Sequence, residues 1–252
     1  MSQSNSGTAE LSRRRADYGL DAPTIVRNML LGGVALVVFG LYLGRDAKAG
    51  IAISRGLSAA SISIGIAYLL TAGLMWLSSR VGKLRARDAL LQGLDLAPDA
   101  RVLDVGCGHG LLIIGAARRV PRGIAVGVDL WSDVDQGSNS RDATLANAAA
   151  EGVAERVEVH DGDMRDLPFA SGSFDAVVSS LAIHNVKGRE DRRRAIEEIV
   201  RVLRPDGEVA ILDIAHVGQY AEDLAGAGAR AVERPRWSPW IFPPSRVVRA
   251  RK

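Results

Sequence analysis

Hydrophobic positions in the first eighty residues fall into two long blocks without a polar face. One runs from about Ile25 to Gly44, the other from Leu57 to Ser79, and the second carries no charge. A bilayer core of about 30 Å needs about 20 residues of helix, so Leu57 to Ser79 crosses with some tilt. The first block reaches that length with Arg27 and Asn28 at the headgroups and Arg27 snorkelling. Tyr42 and Trp76 fall near the ends of the blocks, where amphipathic rings are favoured. Core helices of a soluble protein are the other alternative, but a helix packed on a protein surface would show a polar face, which both blocks lack. The pattern therefore predicts a polar, disordered segment over 1–24 and a transmembrane helical hairpin over 25–80. A cleaved signal peptide is the alternative, since Arg13, Arg14 and Arg15 precede an apolar run and Ala47-Lys48-Ala49 has small residues at a cleavage spacing. Against it, Arg45 and Asp46 interrupt the approach to that site and a second complete span follows.

From Arg101 the pattern changes to short apolar runs alternating with helical periodicity. RVLDV (101–105), GIAVGVDL (123–130), RVEVH (156–160), FDAVVSS (174–180) and GEVAILDI (207–214) read as strands buried on both faces. Helices are predicted at 81–94, 111–119, 143–151 and 189–203, the last stopped by Pro205 and Gly207. Such alternation implies right-handed crossovers and a doubly wound, mostly parallel α/β sheet that binds ligands at the carboxyl ends of its strands. The soluble domain is placed at 81–252.

Charge divides the chain in the same way. Residues 1–79 hold 7 basic and 4 acidic side chains, 80–229 hold 18 and 24, and 230–252 hold 7 and 1, for net charges of +3, −6 and +6. A broad nucleic-acid-binding face is not suggested, and no nucleic-acid partner is expected. Arg80, Lys83, Arg85 and Arg87 directly follow the second block, against Arg45, Lys48 and Arg55 between the blocks, a weak bias toward both ends on the cytoplasmic side. The single cysteine, Cys107, forms no internal disulfide, and no metal-ligand spacing is present, so no metal is expected.

Candidate chemistry starts at VLDVGCGHG (102–110), a strand that runs into Gly106, Gly108 and Gly110 and then a helix. Glycines there let backbone approach a ligand closely. Asp129 ends the next strand, 23 residues after Gly106, where a carboxylate can accept from both hydroxyls of a ribose. A nicotinamide dinucleotide fits these features equally well. The glycines follow Gly-x-Gly-x-Gly rather than Gly-x-Gly-x-x-Gly, and GDMRDLPF (162–169) follows the third strand.

With AVGVDL, SFDAVVSS and RVLRPDGEVAILD in order and spacing, the chain from about residue 85 to 252 resembles the class I S-adenosylmethionine-dependent methyltransferases. The resemblance implies a seven-stranded Rossmann-like sheet and S-adenosylmethionine as cofactor. It implies that Asp104 and the turn Gly106, Cys107, Gly108 and Gly110 hold the amino-acid end of the cofactor. Asp129, with Leu130 beside it, would meet the ribose. Asp163 would accept from the adenine amine, Met164 would meet the ring, and Ser180 would lie near the sulfonium. Cys107 is read as a small turn residue rather than a nucleophile.

SSLAIHNVKG (179–188) is most similar to the ubiquinone/menaquinone C-methyltransferase branch, which carries an arginine where this chain has His184. A small or lipid-like acceptor is expected, with the quinone itself left open. All four histidines, His109, His160, His184 and His216, lie at the carboxyl ends of predicted strands. His109 and His160 are assigned to cofactor turns. His184 and His216 are the candidates for a general base or a substrate-orienting donor, with a plain structural histidine as the alternative for each. The loop WSDVDQGSNS (131–140) is long enough for a lid, and Trp131 either covers the ligand or packs on the surface. The tail RPRWSPWIFPPSRVVRARK (234–252) is expected to supply the last antiparallel strands. Its Trp237, Trp240 and Phe242 among six basic residues also suit a membrane surface.

Overall fold

A computed structural model describes residues 16–45, 52–131 and 139–252. It divides into a helical unit, Leu20–Gly82, and a unit formed by 16–19 with Lys83–Lys252.

The helical unit pairs α1 (Pro23–Arg45) with α2 (Ala52–Leu77), followed by a π-helical turn at Ser78–Gly82. Both helices are long and apolar enough to cross a membrane. Their outward side chains are large and apolar: Leu31, Val38, Phe39, Leu41 and Tyr42 on α1, and Leu57, Leu70, Trp76 and Leu77 on α2, are each more than half exposed. The inward face is built from small residues. A Cβ on Gly40 would come within 2.6 Å of Ile62 Cγ1 and 2.9 Å of the Ser58 carbonyl, and one on Gly65 within 2.8 Å of the Gly33 carbonyl. Backbone therefore packs on backbone. The Ser58 hydroxyl donates to the Gly40 carbonyl and the Ser61 hydroxyl to the Leu36 carbonyl, each at 2.7 Å. Small-residue contact with hydroxyl donors across the seam is the packing that works where no water drives helices together. At the open end of the hairpin, Ser79 Oγ donates to Asp21 Oδ2 (2.9 Å) and accepts from the Asp21 backbone N–H (3.1 Å).

The second unit is an α/β sandwich. After α3 (Lys83–Gln92) come β1 (Arg101–Val105), α4 (Leu111–Arg119), β2 (Ile124–Asp129), α5 (Arg141–Ala150), β3 (Val157–Asp161) and β4 (Phe174–Ser180). Then follow α6 (Arg189–Val202), β5 (Leu203–Asp213), α7 (Val217–Gly226), β6 (Arg236–Ser238) and β7 (Ser245–Arg251). The sheet order is β3-β2-β1-β4-β5-β7-β6, with β3 to β5 parallel and β7 antiparallel to both its neighbours. Successive residues in the central strands feed opposite cores. Val102, Ala125, Ala176 and Ala210 meet Leu90, Leu112 and Ile113 on one face, while Leu103, Val126, Val177 and Val209 meet Ile196, Ile199 and Tyr220 on the other.

Three expectations change. β3 is an edge strand: Val157 and Val159 are buried while Glu158, His160 and Asp161 are exposed, so it is covered on one face only. β5 begins at Leu203, ahead of Pro205 and Gly207, because Phe174 pairs with Leu203 and Ala176 with Glu208; the extra residues form a bulge instead of a helix stop. Finally, the segment expected to be disordered over 1–24 has defined structure from residue 16 onward. Tyr18 is buried on the α/β unit, and the Asp17 backbone N–H and carbonyl bond both ends of the Asn147 amide at 2.9 Å. Buried Lys83 donates to the carbonyls of Tyr18 (2.7 Å) and Gly19 (2.6 Å). Residues 1–15, the Ala47-Lys48-Ala49 site and most of the 131–140 loop lie outside the described residues.

Candidate functional site

The carboxyl ends of β1, β2, β4 and β5 bring most of the predicted residues to one edge of the sheet. Leaving β1, the chain turns through Gly106, Gly108 and Gly110 at φ of +75°, +48° and +87°, values that side chains with a Cβ rarely adopt. The Gly106 and Cys107 N–H groups both donate to the Val128 carbonyl, at 2.8 and 3.2 Å, which ties the turn to β2. A Cβ on Gly106 would stand 2.3 Å from the Ala182 Cβ, so the loop after β4 closes directly on this turn. The Met164 Cε lies 3.7 Å from the same position, which brings the loop after β3 to the turn as well.

Beneath the turn sits Asp104, 2% exposed. Its Oδ2 accepts from the Ile113 N–H at 3.0 Å, while Oδ1 is buried with no hydrogen-bond partner among the described residues. Burial, reinforced by the charge of Asp129 and partly offset by the Ile113 N–H, pushes its carboxyl up to about 8. A buried carboxylate oxygen without a donor is costly, and a ligand ammonium group would satisfy it. The amino-acid end of S-adenosylmethionine carries such a group, so Asp104 and the glycine turn fit the cofactor implied by the sequence.

Asp129 is already engaged by backbone. Its Oδ2 accepts from Gly108 N–H (2.8 Å), and Oδ1 accepts from Trp131 N–H (2.7 Å) and the Asn139 amide (3.3 Å). This fixes the carboxylate at the mouth of the turn, and a carboxylate's four lone-pair sites leave room for a further donor. Leu130 beside it is 63% exposed. The Trp131 indole donates to Asp161 Oδ1 at 2.6 Å, which anchors the first residue of the long loop.

Asp163 is placed differently. The Arg165 guanidinium donates to it at 2.6 to 3.0 Å, and these bonds hold its carboxyl below the usual range. An adenine amine would have to share this carboxylate with Arg165. Ser180 ends β4, and its neighbour Ser179 donates to the Val105 carbonyl at 2.8 Å. Cys107 is a core residue: its thiol is buried, pushed well up by burial, and a Cβ on Gly127 would meet its Sγ at 2.7 Å.

The histidines separate. His109 is buried against Gly19. His160 is exposed, edge-on to Phe169 with ring centroids 5.4 Å apart. His216 is exposed in the left-handed region (φ +61°) at the start of α7. His184, on a short 3-10 turn after β4, is half-buried, with Nδ1 2.6 Å from Asp213 Oδ1; its backbone N–H donates to Asp213 Oδ2 at 3.0 Å. Asp213 ends β5 and is 1% exposed. The sequence reading missed it, although its signal, an acid closing an apolar strand in AILD, is the one that exposed Asp104 and Asp129. Thr144 and Asn147 were also missed. Their side chains, on α5, donate to the carbonyls of Gly108 (2.5 Å) and His109 (2.9 Å) and hold the turn from behind. Among the described residues, no three His, Cys, Asp or Glu side chains are grouped as metal ligands would be.

Residues 103–211 match the methyltransferase domain family. The matched stretch runs from β1 to β5 and holds the Asp104, glycine-turn, Asp129 and His184 positions. A stretch of 121 residues is 36% identical to the glycine/sarcosine/dimethylglycine N-methyltransferase of Actinopolyspora halophila, covering 48% of this chain and 20% of that protein. Another of 120 residues is 32% identical to a ubiquinone/menaquinone biosynthesis C-methyltransferase of Geotalea daltonii, covering 47% of each. The chain thus spans about half the length, or less, of these curated relatives. Among solved structures, a SAM-dependent methyltransferase from Aquifex aeolicus superposes with a TM-score of 0.55 at 20% identity, over 67% of this chain and 90% of that one, which shows the shared fold. The two relatives are named for different acceptor atoms, nitrogen and carbon, so the domain match leaves the acceptor open.

Proposed function

We propose that the protein is a membrane-anchored methyltransferase that moves a methyl group from S-adenosylmethionine to a small, lipid-like or quinone-like acceptor, with its α/β unit at the cytoplasmic face of the membrane. The observation that carries the cofactor reading is the buried, undonated Asp104 Oδ1 under a turn of three left-handed glycines, inside a domain that matches the methyltransferase family. S-adenosylmethionine, when bound, supplies a methyl group already activated on a sulfonium. The chain's own residues then have to hold and orient. Asp104 accepts from the ammonium group, Asp129 accepts from the ribose hydroxyls, and Met164 packs beside the turn. Most of the rate enhancement comes from holding the acceptor in line with the methyl group, with His184 or His216 available where a proton has to leave.

The anchor reading is supported by two apolar helices that pack through Gly40, Ser58, Ser61 and Gly65 and turn large apolar side chains outward. An anchored enzyme meets acceptors dissolved in the bilayer at high local concentration, which favours a lipid or a quinone. The exposed Trp237 and the Arg246 stacked on it (4.4 Å), with Arg85 over Trp240 (5.3 Å), offer headgroup contacts from the tail.

Thermal unfolding of the full-length protein in detergent tests the cofactor assignment. S-adenosylmethionine and S-adenosylhomocysteine should both raise Tm, NAD should not, and Asp104→Asn should abolish the rise. Protection by NAD alone would point to a nicotinamide-dependent oxidoreductase. Protection without any methyl transfer would point to a noncatalytic binding protein.

A further inference from the structure

The chain leaves the α/β unit after Gly19, on its way to the apolar hairpin, and returns to it at Lys83. Just before it leaves, residues 17–19 lie against the back of the glycine turn. Tyr18 is their anchor. It is buried in the core cluster that holds Leu90, Leu112 and Ile113, and its hydroxyl donates to Glu151 Oε1 at 3.4 Å. Burial, reinforced by the Glu151 charge, pushes the phenol up to about 12, so it remains a donor. Buried Lys83 donates to the carbonyls of Tyr18 and Gly19 at 2.7 and 2.6 Å, which ties the outgoing chain to the returning one.

The link to the turn runs through Asn147. This buried α5 side chain accepts at Oδ1 from the Asp17 N–H and donates from Nδ2 to the Asp17 carbonyl, each at 2.9 Å. The same Nδ2 donates to the His109 carbonyl at 2.9 Å. A primary amide has two N–H donors, so one side chain holds both segments at once, and rotating it to release one disturbs the other. Gly19 makes a second contact. At φ +70° it lays its Cα on the His109 ring, where a Cβ would stand 3.5 Å from Nε2 and 3.7 Å from Cδ2 and Cε1. His109 lies between Gly108 and Gly110, whose conformational freedom leaves the turn dependent on outside restraints. Asp129 on the Gly108 N–H, Thr144 on the Gly108 carbonyl and Asn147 on the His109 carbonyl are such restraints, and the last is shared with Asp17.

We infer that residues 17–19 form a strap that sets the cofactor turn, with Asn147 and Lys83 as its positioning residues, so that affinity for S-adenosylmethionine depends on the segment leading into the hairpin. The inference rests on the methyltransferase reading for its ligand and on the geometry alone for the coupling. A buried ammonium is costly to leave without acceptors, so Lys83 keeps the strap seated. With the strap seated, the Asn147 amide has one orientation and the His109 carbonyl a fixed donor. With it lifted, Asn147 loses two of these three bonds, the His109 ring loses its cover, and binding has to order the turn again. Linkage makes the effect reciprocal: a cofactor that binds the ordered turn seats the strap more firmly.

The test uses full-length protein in detergent. Lys83→Met keeps the aliphatic stem and removes the bonds to the Tyr18 and Gly19 carbonyls, neither of which belongs to the turn. Without ligand, it should speed amide hydrogen exchange about 5-fold or more at Asp17 and also at Gly108 and Gly110, whose N–H groups donate to Asp129 and to the Cys107 carbonyl. The calorimetric Kd for S-adenosylmethionine should rise about 5- to 50-fold in Lys83→Met and in Asn147→Ala. Ile199→Ala, a deletion in the core on the other face of the sheet, should lower Tm and leave Kd unchanged. In the wild type, a measurement that needs no substitution, S-adenosylhomocysteine should slow exchange at Asp17. Faster exchange at Asp17 with the turn amides unmoved, an unmoved Kd in both strap variants, or an equal rise in Ile199→Ala overturns the proposal and leaves the methyltransferase reading standing. Wild-type protein that takes up neither S-adenosylmethionine nor S-adenosylhomocysteine overturns the methyltransferase reading, and the ligand-free exchange then decides by itself whether the strap sets the turn.

Discussion

Asp104 links the site to pH. Its carboxyl is raised from 3.8 unfolded to about 8 folded, chiefly by burial, so the folded protein without cofactor binds the proton more tightly than the unfolded chain does. That contribution to stability is complete below about pH 4 and is lost as pH rises toward 8. Without cofactor, Tm should therefore decline over that window, and Asp104→Asn should flatten the decline. A bound ammonium group favours the carboxylate, so cofactor binding near pH 6 should release a proton from Asp104. Calorimetry in buffers of different ionisation enthalpy checks this, and the release should vanish in Asp104→Asn. At Asp129 the expectation is simpler: Asp129→Ala should weaken S-adenosylmethionine binding by about 1.5 to 3 kcal/mol, as charge-assisted bonds to the ribose are lost. Because Asp129 also holds Gly108 and Trp131, part of that loss will come from a loosened turn. Gly106→Ala forces a Cβ to 2.3 Å from Ala182 at a φ of +75° and should cost about 1 to 3 kcal/mol of stability, seen in denaturant unfolding.

At the scale of elements, the order of helices and strands was legible because burial on both faces makes a central parallel strand a plain apolar run. The same rule misled at β3, where an edge position leaves Glu158 and His160 exposed, and neighbour order is not written in a strand's own residues. Pro205 and Gly207 look like a helix stop but serve a bulge, since a bulge and a helix end ask for the same backbone freedom. Within the site, Asp104, Asp129 and His184 were legible from motif and strand end, whereas the Asp213 partnership needs β4 and β5 side by side. The helical hairpin offers its own prediction. Ser58→Ala should cost about 0.6 to 2 kcal/mol of helix pairing. Gly65→Val should cost more, because its Cβ alone would stand 2.8 Å from the Gly33 carbonyl. Unfolding in mixed micelles of rising dodecyl sulfate fraction would rank the two.

The whole molecule joins two units, one with large apolar side chains turned outward and one with them turned inward. Full-length protein is expected to stay with membranes after carbonate washing. Removing residues 1–79 should release the α/β unit and also destabilise it, because Tyr18 and the carbonyls that satisfy Lys83 leave with the segment. A buried aromatic lost to truncation costs about 3 to 5 kcal/mol, so a clear fall in Tm should accompany release. Nothing in the polar pattern of 16–19 announced that role, since apart from the Tyr18 hydroxyl bonded to Glu151 it is backbone groups that meet Asn147 and Lys83. The central claim, methyl transfer from S-adenosylmethionine to a bilayer-dissolved acceptor, is tested most directly by incubating the purified full-length protein with methyl-labelled S-adenosylmethionine and a lipid extract of native membranes. The account predicts label in an organic-extractable product, an equal amount of S-adenosylhomocysteine, and loss of both with Asp129→Ala at subsaturating cofactor. Cofactor that binds but is never turned over with any membrane fraction, or label found only in water-soluble products, would contradict it.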